Sequence, residues 1–95
     1  MSAYMIALVK VTDPEQLKQY AAAAGEVTAR YGGKYLARGG DKVVLEGELD
    51  QDRLVVIEFP DRAAAEAWYN SPEYQAAKEL RANAAIGTFV AVDGV

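Results

Sequence analysis

The chain has 95 residues, 52% of them hydrophobic, and its 14 acidic against 10 basic side chains give a formal charge of -4. One domain of this size buries a little over ~60% of the surface that its unfolded form exposes, and the scattered lysines and arginines form no basic stripe, which argues against a nucleic-acid partner. With no cysteine and no histidine, the sequence excludes disulfides, thiolate nucleophiles, imidazole bases and Cys- or His-built metal sites; acid and base chemistry is left to Asp, Glu, Tyr and Lys.

The first nine residues are apolar for too short a run, and without a basic flank, to be a signal peptide or a membrane span, so a soluble cytoplasmic protein is expected. Tyr4 to Val11 is apolar at both parities and reads as an interior strand. Asp13-Pro14 is a helix start, with aspartate as cap and proline at the first helical position, and Leu17, Tyr20, Ala21, Ala24, Val27 and Tyr31 form the inward stripe. Gly32-Gly33 ends that helix. Lys34 to Arg38 and Lys42 to Gly47 are both strand-like. The glycine pair Gly39-Gly40 between them permits a hairpin turn or a bulge that kinks one long strand. The kinked strand is the preferred reading, because Glu48 to Asp52 can then turn the chain into the next strand.

That next strand, Arg53 to Phe59, is the most strongly patterned stretch. Leu54 and Val56 lie on one face, and Val55, Ile57 and Phe59 on the other. Glu58 is its odd residue, a carboxylate in line with Leu54 and Val56 on a face that otherwise wants to be dry. Asp61 caps a second helix with Ala64, Ala65 and Trp68 inward. Ser71-Pro72 breaks it, and Ser71 caps a third, short helix with the stripe Tyr74, Ala77 and Leu80. Thr88 to Val92 is the last strand. The order β-α-β-β-α-β predicts a single α+β domain over 1–95, a four-stranded antiparallel sheet with its helices on one face. The uncovered face would still carry large apolar side chains, each forfeiting ~1.5–3 kcal/mol if left in water, so a second copy packed sheet to sheet is the expected partner.

Tyr31-Gly-Gly-Lys-Tyr35, Arg38-Gly-Gly40, Leu45-Glu-Gly47, Leu54-Val-Val-Ile-Glu-Phe-Pro60 and Ala67-Trp-Tyr-Asn-Ser-Pro-Glu-Tyr74 occur in that order along the chain. On these segments the chain resembles the domain-of-unknown-function family numbered 1330, within the dimeric α/β-barrel superfamily of ferredoxin-like folds, from about Tyr4 to Val95. The resemblance implies a homodimer whose two sheets close into a barrel. It implies no particular reaction, although related superfamily members include cofactor-free monooxygenases and small-molecule lyases or isomerases with a pocket between sheet and helices.

Tyr4, Arg38, Glu58, Trp68 and Tyr74 are the candidate ligand-binding residues of such a pocket, with Arg38 orienting an anion or carbonyl and Glu58 as base. Against this stands a structural salt bridge between Arg38 and Glu58, with Trp68 as plain core and Ser71 as a cap, since no histidine exists to activate it. The paired glycines lack dinucleotide-loop spacing, and no cofactor or metal is expected. Two functions follow: a small-molecule-binding or cofactor-independent catalytic dimer, or a non-catalytic interaction domain. A cavity between sheet and helices discriminates them.

Overall fold

A computed structural model describes all of residues 1–95. The order is β1 (Ala3–Val11), α1 (Pro14–Arg30), β2 (Lys34–Arg38), β3 (Arg53–Phe59), α2 (Arg62–Asn70), α3 (Pro72–Glu79) and β4 (Ala85–Asp93). All strands pair antiparallel in one sheet of order β2-β3-β1-β4, the ferredoxin-like arrangement expected. The helix starts form as the capping chemistry demands. Carboxylate oxygens of Asp13 and Asp61 accept from the backbone N–H of Gln16 (3.2 Å) and Ala64 (2.8 Å), and Ser71 Oγ accepts from Tyr74 N–H (3.0 Å). Ser71 therefore serves α3 as a cap while its own hydroxyl donates to the Trp68 carbonyl (2.8 Å). No helix is long and apolar enough to cross a membrane.

Pairing fixes the two faces of the sheet. Met5 lies opposite Ile57 and Ala91, and Ala7 opposite Val55 and Phe89, so these residues share the face beneath the helices. Met5, Ala7, Val9, Ile57 and Phe59, with Val55 and Phe89 packed against them, meet Leu17, Ala24 and Val27 of α1 and Trp68 of α2 in one core. The opposite face carries Ile6, Leu8, Leu54 and Val56, together with Val90 and Val92, which are 50% and 45% exposed; nothing in the chain covers it.

The segment after β2 departs from expectation. Neither the kinked strand nor a hairpin forms: the chain leaves the sheet at Arg38, and residues 39–52 run without helix or strand. Gly39 takes a positive φ of 69°, and its N–H donates to the Leu54 carbonyl (3.0 Å), which ends β2. Lys42 to Gly47 has strand-like side chains but pairs with no strand, and the outer edge of β2 stays open. Val43 and Leu45 stand 77% and 91% exposed. The return is held instead by side chains: the Asp52 carboxylate accepts from Val11 N–H (2.8 Å), and Lys10 pairs with Asp50 (3.4 Å) at the surface.

Candidate functional site

The space between sheet and helices is largely filled, leaving a cavity of about 40 Å³ whose wall is mainly apolar. Its polar lining is distinctive. Tyr20 and Tyr35 contribute phenols, and Arg38, Arg53 and Arg81 contribute three guanidiniums, with no acidic side chain among them. None of the three arginines takes part in a salt bridge, whereas the three ion pairs of the chain, Lys10–Asp50, Lys18–Glu15 and Arg62–Asp93, all lie at the surface.

Arg38 reaches this cavity through a β-bulge. Lys34 and Tyr35 pair with Glu58 and Ile57, then the register slips by one residue, so that Ala37 pairs with Val56 and Arg38 with Val55. A one-residue slip moves every later side chain to the other face. Leu36, 50% exposed, is the extra residue, and Arg38 turns under the helices. There its Nη2 donates to the Ala21 carbonyl (2.8 Å), and its guanidinium lies 4.2 Å from the centre of the Tyr35 ring. The approach to α1 is close: a Cβ at Gly25 would stand 3.2 Å from Arg38 Nη2.

The expected salt bridge between Arg38 and Glu58 is therefore absent. Glu58 lies on the uncovered face, where its carboxylate accepts from the Tyr4 hydroxyl (3.4 Å). Of the five candidate residues, the structure brings Arg38 and Trp68 to the cavity and places Tyr4 and Glu58 together on the far side of the sheet. Tyr74 stands behind the cavity wall, fully buried, with its hydroxyl 2.8 Å from that of Tyr20.

Trp68 is both core and wall. Its indole N–H donates to Thr28 Oγ1 (3.1 Å), and Thr28 in turn donates to the Ala24 carbonyl (2.7 Å). With that proton used, the Tyr35 hydroxyl, 3.3 Å from Thr28 Oγ1, is the donor in their contact. The ring of Trp68 packs on Tyr74 and Phe59 with centroids 4.3 and 5.4 Å away.

Tyr20, Tyr35, Arg53 and Arg81 are the polar lining residues that the five-residue set omits. Arg53 has the same parity as Val55 and Ile57, and Arg81 falls at helical spacing after Tyr74 and Ala77; both signals were readable. Arg81 follows the end of α3, a point fastened to α1 by the bond from Gln16 Nε2 to the Leu80 carbonyl (2.9 Å). It lies over the rings of Phe89 (4.4 Å) and Tyr20 (5.3 Å), and Nη2 makes a long contact to the Tyr74 hydroxyl (3.4 Å). Burial works against its charge, but the hydroxyls of Tyr74 and Tyr20 more than offset this and hold its pKa above the usual value. Burial, reinforced by the neighbouring Tyr74 hydroxyl, pushes the Tyr20 phenol far upward, so it stays protonated. The Tyr20–Tyr74–Arg81 cluster is thus one half-buried cation beside two hydroxyls.

A second, more open hollow of about 470 Å³ adjoins the cavity, between α2 and β4. The two share Met5, Trp68, Arg81 and Phe89 as a common wall. Its rim is polar, with Glu66, Asn70 and Lys78.

No curated protein matches the chain significantly in sequence. Several solved structures share its fold. A protein of unknown function from Rhodopseudomonas palustris is 24% identical with a TM-score of 0.77, the match covering 99% of this chain and 82% of that one. A dimeric ferredoxin-like protein of unknown function from Thermobifida fusca is 24% identical with a TM-score of 0.69, over 99% and 92% of the two chains. SnoaB, a cofactor-independent oxygenase from Streptomyces nogalater, is 14% identical with a TM-score of 0.68, over 99% and 93%. At these identities the likeness is one of fold. The sequence itself matches a family profile over residues 2–95, and the chain belongs to that family, DUF1330, a domain of unknown function.

Proposed function

We propose that this chain works as a cytoplasmic homodimer that binds a small apolar anion beneath its helices. The observation that carries the reading is the lining of the cavity, where three arginines without carboxylate partners meet an apolar wall in a protein whose net charge is -4. Arg53 and Arg81 are half-buried, and the chain supplies no carboxylate partner for either. An apolar pocket with a few convergent polar groups is the usual furnishing of a small-molecule site. The uncovered sheet face supports the dimer: Ile6, Leu8, Leu54 and Val56 are what a second copy of the same face would cover, and the Thermobifida fusca protein of this fold is dimeric.

A catalytic version of this reading has one observation in its favour. The Tyr20 hydroxyl, held protonated beside Arg81, suits an oxyanion or enolate, and SnoaB shows that the same fold carries a cofactor-independent oxygenase. The test for binding is thermal melting against apolar carboxylates matched to their neutral amides and to amines of the same carbon skeleton. Carboxylates should raise the melting temperature selectively, since a ligand at ~100 times its Kd adds ~2.7 kcal/mol. Equal shifts from carboxylates and amines would sink the anion reading. No shift from any compound would leave the non-catalytic interaction domain as the better account.

A further inference from the structure

Arg81 differs from the other two cavity arginines in one respect: its Nε–H is buried and has no hydrogen-bond partner. Arg38 spends its guanidinium on the Ala21 carbonyl and the Tyr35 ring. A buried donor left unmade is costly, and such groups in native proteins call for an explanation. Arg81 is also placed where the small cavity and the larger groove meet. At about 40 Å³ the cavity holds only a few atoms, while the groove beside it, at about 470 Å³, has the capacity of an ordinary ligand site. A ligand lying in the groove with its head at the cavity would meet Arg81 at the junction.

We propose that Arg81 anchors the ligand's anionic head, a carboxylate or another planar oxyanion that accepts from its Nε–H, while the apolar body lies in the groove between α2 and β4. This rests on the reading of the site as an apolar-anion site and names the residue and ligand class. Rings close to the guanidinium, Phe89 at 4.4 Å and Tyr20 at 5.3 Å, fix its place, and no protein acceptor pairs with its Nε–H. A second donor stands nearby. If Tyr74 oxygen accepts from Arg81 Nη2, its own proton goes to Tyr20 oxygen, and the Tyr20 proton remains unspent at the cavity wall. One oxygen of a carboxylate on Arg81 Nε–H and the other on Tyr20 O–H would satisfy both groups. The groove's apolar wall, with Met5, Trp68, Phe89 and Ala91, suits an alkyl or aryl body.

The experiment uses hexanoate and its neutral isostere hexanamide, read by the fluorescence of Trp68, the single tryptophan of the chain, which lines both cavity and groove. Wild-type protein should bind hexanoate more tightly than hexanamide. Arg81→Gln should weaken hexanoate by about tenfold or more and leave hexanamide within about twofold, and Arg81→Lys, which keeps charge but loses Nε, should fall between. If Arg81→Gln keeps hexanoate affinity while Arg38→Gln or Arg53→Gln loses it, the anchor is elsewhere, and this inference fails although the anion site stands. If hexanoate binds no better than hexanamide, or neither moves Trp68 fluorescence up to about 10 mM, both fall. Unfolding of both Arg81 variants in the absence of ligand, seen by circular dichroism, would also overturn the assignment, because it would make Arg81 a structural residue.

Discussion

Thr28 offers the sharpest test of how this core is held. It is 1% exposed and, with Ser71, one of only two buried polar residues. Its hydroxyl accepts from Trp68 Nε1 (3.1 Å) and donates to the Ala24 carbonyl (2.7 Å). Thr28→Val preserves the shape of the side chain and removes the oxygen. The Ala24 carbonyl, inside α1, keeps its helical donor, but the indole N–H of Trp68, a residue 1% exposed, is left with nothing. That orphaned donor costs ~1–3 kcal/mol, and the methyl that replaces the hydroxyl returns about 1 kcal/mol of apolar burial. A net loss of up to about 2 kcal/mol follows, and each kcal/mol lowers the melting temperature of a domain this size by about 4–8 °C. Urea and thermal unfolding at one fixed protein concentration measure it, since association would make stability concentration-dependent. In the Trp68→Phe background the indole donor no longer exists and only the longer contact from the Tyr35 hydroxyl (3.3 Å) is lost, so the same change should cost clearly less. Equal losses in both backgrounds, or none in either, would refute the claim that this bond pins Trp68.

Two further outcomes follow from the face assignments and the tyrosine pair. Val56→Asp puts a charge on the uncovered face and should yield a folded monomer by light scattering, whereas Ile57→Asp, at a position 2% exposed beneath the helices, should unfold the chain; a Val56→Asp protein of unchanged mass would dismiss sheet-to-sheet pairing. Tyr20, its pKa raised by burial and by Tyr74, holds in the native state a proton that the unfolded chain releases above about pH 10. Stability from this group is complete below that pH and lost as pH rises, by up to ~1.36 kcal/mol per unit. Tyr20→Phe should flatten the alkaline slope by about that amount, and an unaltered slope would show that Tyr20 is not the group responsible.

Legibility in the sequence followed the strength of local chemistry. Caps at Asp13, Asp61 and Ser71 and the doubly apolar patterns of β1 and β3 are local signals, and the elements they announce are where they were expected. The last strand is longer than its pattern, starting at Ala85, because Ala84 accepts from Thr12 (2.7 Å) and Asp13 (3.0 Å) and draws the chain alongside β1 early. What could not be read was long-range. Lys42 to Gly47 alternates like a strand, yet strand propensity is realised only by pairing, and this segment joins neither edge of the sheet. The site suffered most, because its five candidates were grouped by chemistry when strand parity and one bulge decide which of them can meet.

The bulge at Leu36 therefore reaches beyond local geometry. In an unbroken ladder Arg38 would share the face of Lys34 and Glu58, which is the uncovered one. A cation would then stand among the apolar residues that the proposed second copy would bury, at a desolvation cost that a pairing with Glu58 only partly repays. With the extra residue in place, Ala37 faces outward opposite Val56, and Arg38, opposite Val55, joins Arg53 and Arg81 at the cavity. One slip thus clears the outer face of a charge and adds a guanidinium to the inner one. The same sheet then presents two different chemistries: an apolar face, with Glu58 held by Tyr4, suited to self-association, and a face with three guanidiniums at an apolar cavity, suited to an anion. The close passage of Arg38 over Gly25 indicates that α1 is fitted to this arrangement, since a side chain at that helix position would crowd the guanidinium.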